Sequence, residues 1–167
     1  MNHSRINTAA LYGLYLSLPS AITLLIQDTY QPGTFISILL WIFRFGSSIW
    51  LLFKFMKEWA SNFEEFTYGN GVSFGFLTCT FSSMIVAVAR WVSISFLNNE
   101  ALQMAMQEAM ERFEEQGNTQ VIETMDSIMG NMPVIALFST LLYCVIYGLI
   151  LSSILASFCK KESFNID

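Results

Sequence analysis

The sequence GVSFGFLTCTFSSMIVAVARWVSISFL, residues 71–97, is an apolar stretch long enough to cross a bilayer, and Arg90 is its single charge. Small residues recur in this stretch at every fourth position, and they are Gly71, Gly75, Cys79, Ser83 and Ala87. In lipid, such a lane lets a neighbouring backbone approach closely enough for dispersion to hold two helices together. We predict that this helix is the packing centre of an all-α membrane bundle.

The composition is typical of a membrane protein rather than of a soluble domain. Of 167 residues, 54% are hydrophobic and only 13% are charged, which lies outside the soluble norm. The formal net charge of -5 argues against nucleic acid as a partner, because phosphates require a basic surface. Membrane lipids are therefore the expected surroundings and the first expected partners.

Three further apolar segments, residues 8–26, 34–53 and 133–158, have transmembrane length. Together with a span at about 72–97 they predict a four-helix transmembrane bundle that forms a single membrane domain over residues 1–167. A secretory signal peptide is the alternative for the first segment. Its basic n-region is weak and no clean cleavage site follows, so we expect a membrane span instead.

The first and last segments each carry a further lane of small residues. These lanes comprise Ala9, Gly13, Ser17 and Ala21 in the first segment and Thr140, Cys144, Gly148, Ser152 and Ala156 in the last. We expect the first segment to pack against the central helix. The residues predicted to carry the helix packing are Gly71, Gly75, Ser83, Ala87, Gly13, Ser17, Gly148 and Ser152.

The connecting segments predict additional helices at the membrane surfaces. Residues 27–33 indicate a polar turn, whereas residues 54–70 place aromatic and charged side chains on different faces, as an interfacial cytoplasmic helix does. This helix should end at the sequence YGNG, residues 68–71. Residues 98–132 are acidic and rich in methionine and predict an extracytoplasmic helical hairpin, whose second helix should stop before Pro133.

The basic residues set the expected orientation. One side would hold Arg5, Lys54, Lys57, Lys160 and Lys161, and the other side only Arg112. Because basic residues accumulate on the cytoplasmic side, both termini are expected in the cytoplasm. The predicted location is the bacterial inner membrane, which the chain crosses several times.

The sequence YGNGVSFG, residues 68–75, the acidic helical insertion and the stop at Lys160 and Lys161 carry a family resemblance. Together they resemble the uncharacterised bacterial four-span membrane proteins grouped as domain of unknown function 4199, over essentially the whole chain. The resemblance implies an inner-membrane helical bundle and brings no activity, cofactor or catalytic residue. Phe76 departs from it, because a long polar residue is associated with the family soon after the Ser-Phe-Gly sequence.

Arg44 and Arg90 are the residues that most strongly suggest a function. An ionisable residue inside a span costs roughly 2.5 to 3.5 kcal/mol and indicates a functional site by default. Counted along the predicted spans, Arg44 lies about 15 Å and Arg90 about 10 Å from the outer boundary, and Tyr143 lies about 15 Å deep. No acidic residue lies within the predicted spans. The three side chains could therefore face one cavity and bind an anionic lipid or a polyprenyl phosphate.

A structural role for the two arginines is the alternative. Arg90 would then extend outward to lipid headgroups. The Arg44 guanidinium would be held by backbone carbonyls, by Ser47 or Ser48, or by a hairpin carboxylate such as Asp126.

The residues that could bind a metal or act in catalysis are few. The hairpin methionines offer soft ligands for Cu(I), but their helical spacing favours packing; they are Met104, Met106, Met110, Met125, Met129 and Met132. His3 is the single histidine, and Cys79 and Cys144 lie at depths too different along the predicted spans to pair. Cys159, beside two lysines, is as readily a helix-end residue as a reactive thiol. We predict no metal site, no cofactor and no catalytic residue.

These patterns predict a non-enzymatic membrane protein. The first hypothesis is a scaffold or accessory subunit that packs against a second copy or another membrane protein. The alternative is a binding module for an anionic lipid or polyprenyl phosphate at Arg44 and Arg90, serving an enzyme that acts on lipid-linked sugars.

Overall fold

Four long helices make up most of the chain that the computed structural model describes, which comprises residues 2–30, 32–97, 104, 107–108, 110–113 and 119–159. The helices are α1 (Asn2–Tyr30), α2 (Thr34–Ala60), α3 (Tyr68–Val92) and α4 (Thr119–Cys159). A π-helical turn, Ser93–Leu97, continues α3. The described residues contain no β-strand, and the predicted all-α class is confirmed.

Each of these helices contains a segment long and apolar enough to cross a membrane. The segments are Ser4–Tyr30, Thr34–Ala60, Tyr68–Phe96 and Gly130–Cys159. Many of their hydroxyl groups donate to backbone carbonyls of the same helix; the Thr78 hydroxyl, for example, donates to the carbonyl of Phe74 at 3.0 Å. A lipid environment requires this, because no water is available there to pair with polar groups. The chain is a multi-pass membrane protein.

Two of the small-residue lanes lie against each other between α3 and α4. A Cβ atom added to Gly148 would lie 2.4 Å from the Cβ atom of Cys79, and one added to Gly75 would lie 2.8 Å from the Ser152 hydroxyl. Gly71 similarly faces Ala156. Residue numbers rise by four on α3 while they fall by four on α4, as antiparallel helices require. The two backbones are therefore close because neither lane carries a large side chain.

Helix α1 packs on a different face of α3. A Cβ atom added to Gly13 would lie 2.6 Å from the Cβ atom of Phe81 and 2.8 Å from the Thr78 carbonyl. Gly13 of the α1 lane therefore contacts a larger residue, because α4 already faces Gly71, Gly75 and Cys79 of the α3 lane. Ser17 on α1 and Ser83 and Ala87 on α3 are each 1% exposed.

Side-chain hydrogen bonds join α1 and α3 at both ends of the bundle. At one end the Arg5 guanidinium donates to the Ser73 hydroxyl. At the other end Asp28 is bonded to Arg90 and Ser93. Helices α1 and α3 therefore run parallel. The α1–α2 connection lies at one end of the bundle and the α2–α3 connection at the other.

Residues 54–70 were predicted to form an interfacial helix that continues from the second span, and the structure continues that span only to Ala60. Helix α2 ends at Ala60, and α3 begins at Tyr68, where the Thr67 hydroxyl accepts a hydrogen bond from the Asn70 amide at 3.4 Å. The aromatic side chains turn inward: the Trp59 ring stacks on Phe74 with ring centroids 4.7 Å apart. Contact with α3 therefore fixes this segment, and YGNG belongs to the first turn of α3.

Helix α4 also differs from prediction, because it continues through the expected stop at Gly130 and Asn131 and through Pro133. A proline removes one backbone hydrogen bond, but a helix interrupted at membrane depth would leave several backbone groups unpaired. The second helix of the predicted hairpin is thus the extension of the last span. Its first helix falls largely outside the described residues.

Helix α2 contacts the bundle mainly through its last three turns. Its buried residues are Leu52, Phe55, Met56 and Ala60. Its first half exposes a series of large apolar side chains, namely Phe35, Ile36, Ile38, Leu39, Trp41, Ile42 and Phe43. A space is left between α2 and the other helices at the end of the bundle where α1 connects to α2.

Candidate anion-binding cavity

A cavity of about 430 Å³ lies at this end of the bundle, and all four helices contribute to its wall. The residues that line it are Leu24 and Gln27 of α1, Arg44 of α2, Arg90 of α3, and Ser139, Thr140 and Tyr143 of α4. The structure therefore brings together Arg44, Arg90 and Tyr143, the three residues that the sequence suggested as one site.

Arg90 is paired with an acidic residue of α1. Its Nη1 atom donates to both carboxylate oxygens of Asp28, at 3.0 and 2.9 Å. The Ser93 hydroxyl, at the start of the π-helical turn, donates to the same carboxylate. The Asp28 side chain is only 9% exposed, whereas that of Arg90 is 37% exposed. Asp28 is thus held firmly while part of the Arg90 guanidinium reaches the cavity.

Sequence reasoning missed Asp28, because this residue lies two positions beyond the predicted first span. The first span was expected to end at residue 26, but α1 continues to Tyr30 and carries Asp28 inside the apolar helix. One signal pointed to it: an arginine about 10 Å deep needs a counter-charge. Arg90 therefore bonds to Asp28, where the structural alternative had it extending to headgroups.

Arg44 differs from Arg90 in its surroundings. The side chain is half-buried, and among the described residues none forms a hydrogen bond or ion pair with its guanidinium. The hydroxyls of Ser47 and Ser48 donate to its backbone carbonyl instead, at 3.1 and 2.7 Å. The side chain of Asp126, the other suggested partner, lies outside the described residues. Within the described part of the chain, Arg44 brings an uncompensated positive charge to the cavity.

A narrower crevice of about 60 Å³ shares Arg44 and Tyr143 with the cavity. Its wall is mostly apolar and includes Leu16, Phe45, Leu52, Val86 and Leu151. The ring of Phe45 meets that of Tyr147 edge to face, with centroids 5.4 Å apart, and so joins α2 to α4. The polar cavity therefore borders a mostly apolar crevice, and Arg44 and Tyr143 line both spaces.

The comparison with protein families finds one family model that matches nearly the whole chain. A family model described as a protein of unknown function, DUF4199, matches residues 7–161. The chain belongs to the DUF4199 family. The match reaches from α1 to the end of α4, so the resemblance drawn from YGNGVSFG and the order of the segments is confirmed. No curated protein matches this DUF4199 chain, and no solved structure matches it.

Among the residues that the structure describes, the remaining candidates of this DUF4199 chain do not form a second site. Within the described ranges, no three histidine, cysteine or acidic side chains come together as metal ligands would. The three cysteines are free. Met104 is 67% exposed, and the side chains of Met106, Met125 and Met129 lie outside the described residues, as does that of His3.

Proposed function

We propose that this DUF4199 protein binds the anionic headgroup of a membrane lipid in the cavity between its four helices. One observation carries the proposal: Arg44, without a partner among the described residues, lines the same cavity as Arg90. Guanidinium groups bind phosphate oxygens through charge-assisted and often bidentate hydrogen bonds. A lipid phosphate would supply the negative charge that Arg44 lacks.

The energetics of the two arginines support a ligand. A charged residue within an apolar helix costs roughly 2.5 to 3.5 kcal/mol even on the lenient scale. Asp28 offsets this cost for Arg90, but no described residue offsets it for Arg44. The remaining polar groups in the wall, Gln27, Ser139 and Thr140, add hydrogen-bonding capacity around a headgroup.

The same proposal includes an orientation. Arg5, Lys54 and Lys57 lie at the end of the bundle away from the cavity. By the positive-inside rule that end is cytoplasmic, which puts both termini in the cytoplasm and the cavity in the outer leaflet of a bacterial inner membrane. The ligand would then be a lipid that resides in the outer leaflet.

A scaffold or accessory subunit without enzymatic activity is the second candidate function. The first half of α2 supports it, since its apolar side chains are not covered by the described residues. Another membrane protein or a second copy would pack there. Binding of a lipid and assembly with an enzyme that acts on lipid-linked sugars are compatible roles.

Native mass spectrometry of gently extracted protein tests the lipid proposal. We expect the wild type to retain an anionic phospholipid or a polyprenyl phosphate, and Arg44→Leu to reduce retention at least tenfold. Lys54→Leu is the matched control, because it removes a cation from the same helix outside the cavity. Equal retention by Arg44→Leu, or no anionic lipid on the wild type, would overturn the proposal. A protein partner that stays bound to Arg44→Leu would support the scaffold role.

A further inference from the structure

We infer that the cavity selects a phosphodiester headgroup with a single negative charge over a phosphomonoester. This inference rests on the proposed function and names the class of lipid. Phosphatidylglycerol is an example of the favoured class, whereas phosphatidate and polyprenyl phosphate end in a phosphomonoester.

The charges at the cavity set this preference. Arg44 and Arg90 each bring one positive charge, and Asp28, bonded to Arg90, brings one negative charge. Among the described residues the site therefore carries a net charge of +1. A phosphodiester carries one negative charge and balances the site. A phosphomonoester carries about 1.5 to 2 negative charges near pH 7 and leaves an excess.

The position of Asp28 makes this excess unfavourable. Hydrogen bonds from both Arg90 and Ser93 hold its carboxylate, so it cannot turn away from an incoming anion. Charges interact strongly where little water screens them. A second negative charge on the phosphate would be repelled by Asp28 across the Arg90 guanidinium.

The hydrogen-bond donors also fit a phosphodiester. Among the described residues, only the Nη1 atom of Arg90 is engaged, which leaves its other guanidinium nitrogens and the whole Arg44 guanidinium for a ligand. A phosphodiester has two free oxygens, one for each guanidinium, whereas a phosphomonoester has three. Gln27, Ser139 and Thr140 offer partners for the hydroxyl groups of a neutral head alcohol. A cationic head alcohol would meet a positively charged cavity.

A lipid competition with the full wild-type chain tests this inference. The purified protein is mixed with equal amounts of phosphatidylglycerol, phosphatidate and phosphatidylethanolamine that carry the same acyl chains, and bound lipid is measured by native mass spectrometry. We expect at least tenfold more phosphatidylglycerol than either other lipid. Phosphatidate bound equally or better would overturn the inference and leave the proposed function standing. Retention of neither anionic lipid above phosphatidylethanolamine would overturn the proposed function itself.

Two variants test the charge balance. Asp28→Asn raises the net charge to +2, and we expect it to bind phosphatidate at least as well as phosphatidylglycerol. Gln27→Glu lowers the net charge to zero without touching the Asp28 pair, and we expect it to lose phosphatidylglycerol at least tenfold. An unchanged preference in Asp28→Asn, or unchanged binding in Gln27→Glu, would overturn the role of charge. Gln27→Asn is the neutral control.

A water-soluble competitor shows whether the site binds a membrane lipid or a soluble phosphodiester. Glycerophosphoglycerol has the headgroup chemistry of phosphatidylglycerol but no acyl chains. We expect it to displace little phosphatidylglycerol at equal concentration. Equal displacement would overturn the assignment to a membrane lipid.

Discussion

Asp28 sets the net charge of the cavity, although the sequence around it predicts a polar turn rather than a helix. Its distance of 62 residues from Arg90 along the chain hid the pair from sequence analysis. Arg44 and Arg90, in contrast, could be singled out as candidates from the sequence, because a charge within an apolar span is conspicuous by itself. The counter-charge Asp28 lies beyond the predicted end of the first span. It is recognised only when the structure shows that α1 continues to Tyr30.

Removal of Asp28 should destabilise the bundle. Asp28→Ala leaves Arg90 without its partner, and we expect a loss of about 1–3 kcal/mol, less than for a fully buried pair because Arg90 is partly exposed. Adding Arg90→Leu should recover most of this loss. Thermal unfolding in detergent micelles provides the measurement, with Thr29→Ala on the exposed face of the same turn as the control. Additive effects of the two substitutions would show that the pair does not stabilise the fold.

Removal of the Arg44 charge should have the opposite effect. No described residue bonds to its guanidinium, and an apolar side chain suits the surroundings better, so Arg44→Leu should unfold at the same or a higher temperature. The same thermal assay, on lipid-depleted protein, measures this. A clear decrease in unfolding temperature would mean that Arg44 has a structural partner.

At the scale of the helices, the sequence predicted which segments have transmembrane length and that α1 packs against α3, but not which residues of the lanes meet. Three lanes share one spacing, and nothing in that spacing says that the α3 lane faces α4 while Gly13 meets Phe81. Helix ends were predicted least well. Pro133 and the aromatic residues before Tyr68 look like boundaries locally, but packing and the need to pair backbone groups override them.

The contact between α3 and α4 can be tested with a pair of glycines. Gly148→Ala places a methyl group against Cys79, and we expect a loss of about 1–3 kcal/mol of stability. At Gly46 on α2, an added Cβ atom would meet no neighbouring group within 4 Å. We expect Gly46→Ala to be neutral or slightly stabilising, because alanine favours a helix. Thermal unfolding of both variants in the same detergent compares them.

A second substitution should rescue the first. Cys79→Gly removes the Cβ atom that the new methyl group would meet, so Gly148→Ala combined with Cys79→Gly should be more stable than the sum of the single effects predicts. If Gly148→Ala is as stable as Gly46→Ala, then α3 and α4 are farther apart than the contact between Gly148 and Cys79 requires.

For the whole molecule, the orientation in the membrane is open to direct measurement. In a variant with all three native cysteines replaced by alanine, we expect Gly33→Cys, between α1 and α2, to react with a membrane-impermeant maleimide in intact bacterial cells. Ser61→Cys, between α2 and α3, should react only after the cells are permeabilised. The reverse pattern would place the cavity in the inner leaflet. The parent without introduced cysteines controls for background labelling.

The cavity itself could be predicted only in part. Rise along the spans placed Arg44, Arg90 and Tyr143 at similar depth, and they line one space. That the space exists depends on α2, which packs through Leu52, Phe55, Met56 and Ala60 and leaves its other half apart. Such uneven packing arises from the fit of all four helices and is not encoded in any one of them.

The bonds that join α1 and α3 at both ends have a mechanical consequence. Between Ser73 and Ser93 the helix rises about 30 Å, which is close to the thickness of the hydrocarbon layer. Because the two helices are fastened at both ends, they cannot slide past each other when the surrounding bilayer becomes thinner. The pair must tilt as one rigid unit. Hydrophobic mismatch would therefore change the tilt angle of the bundle, while the register between α1 and α3 stays fixed.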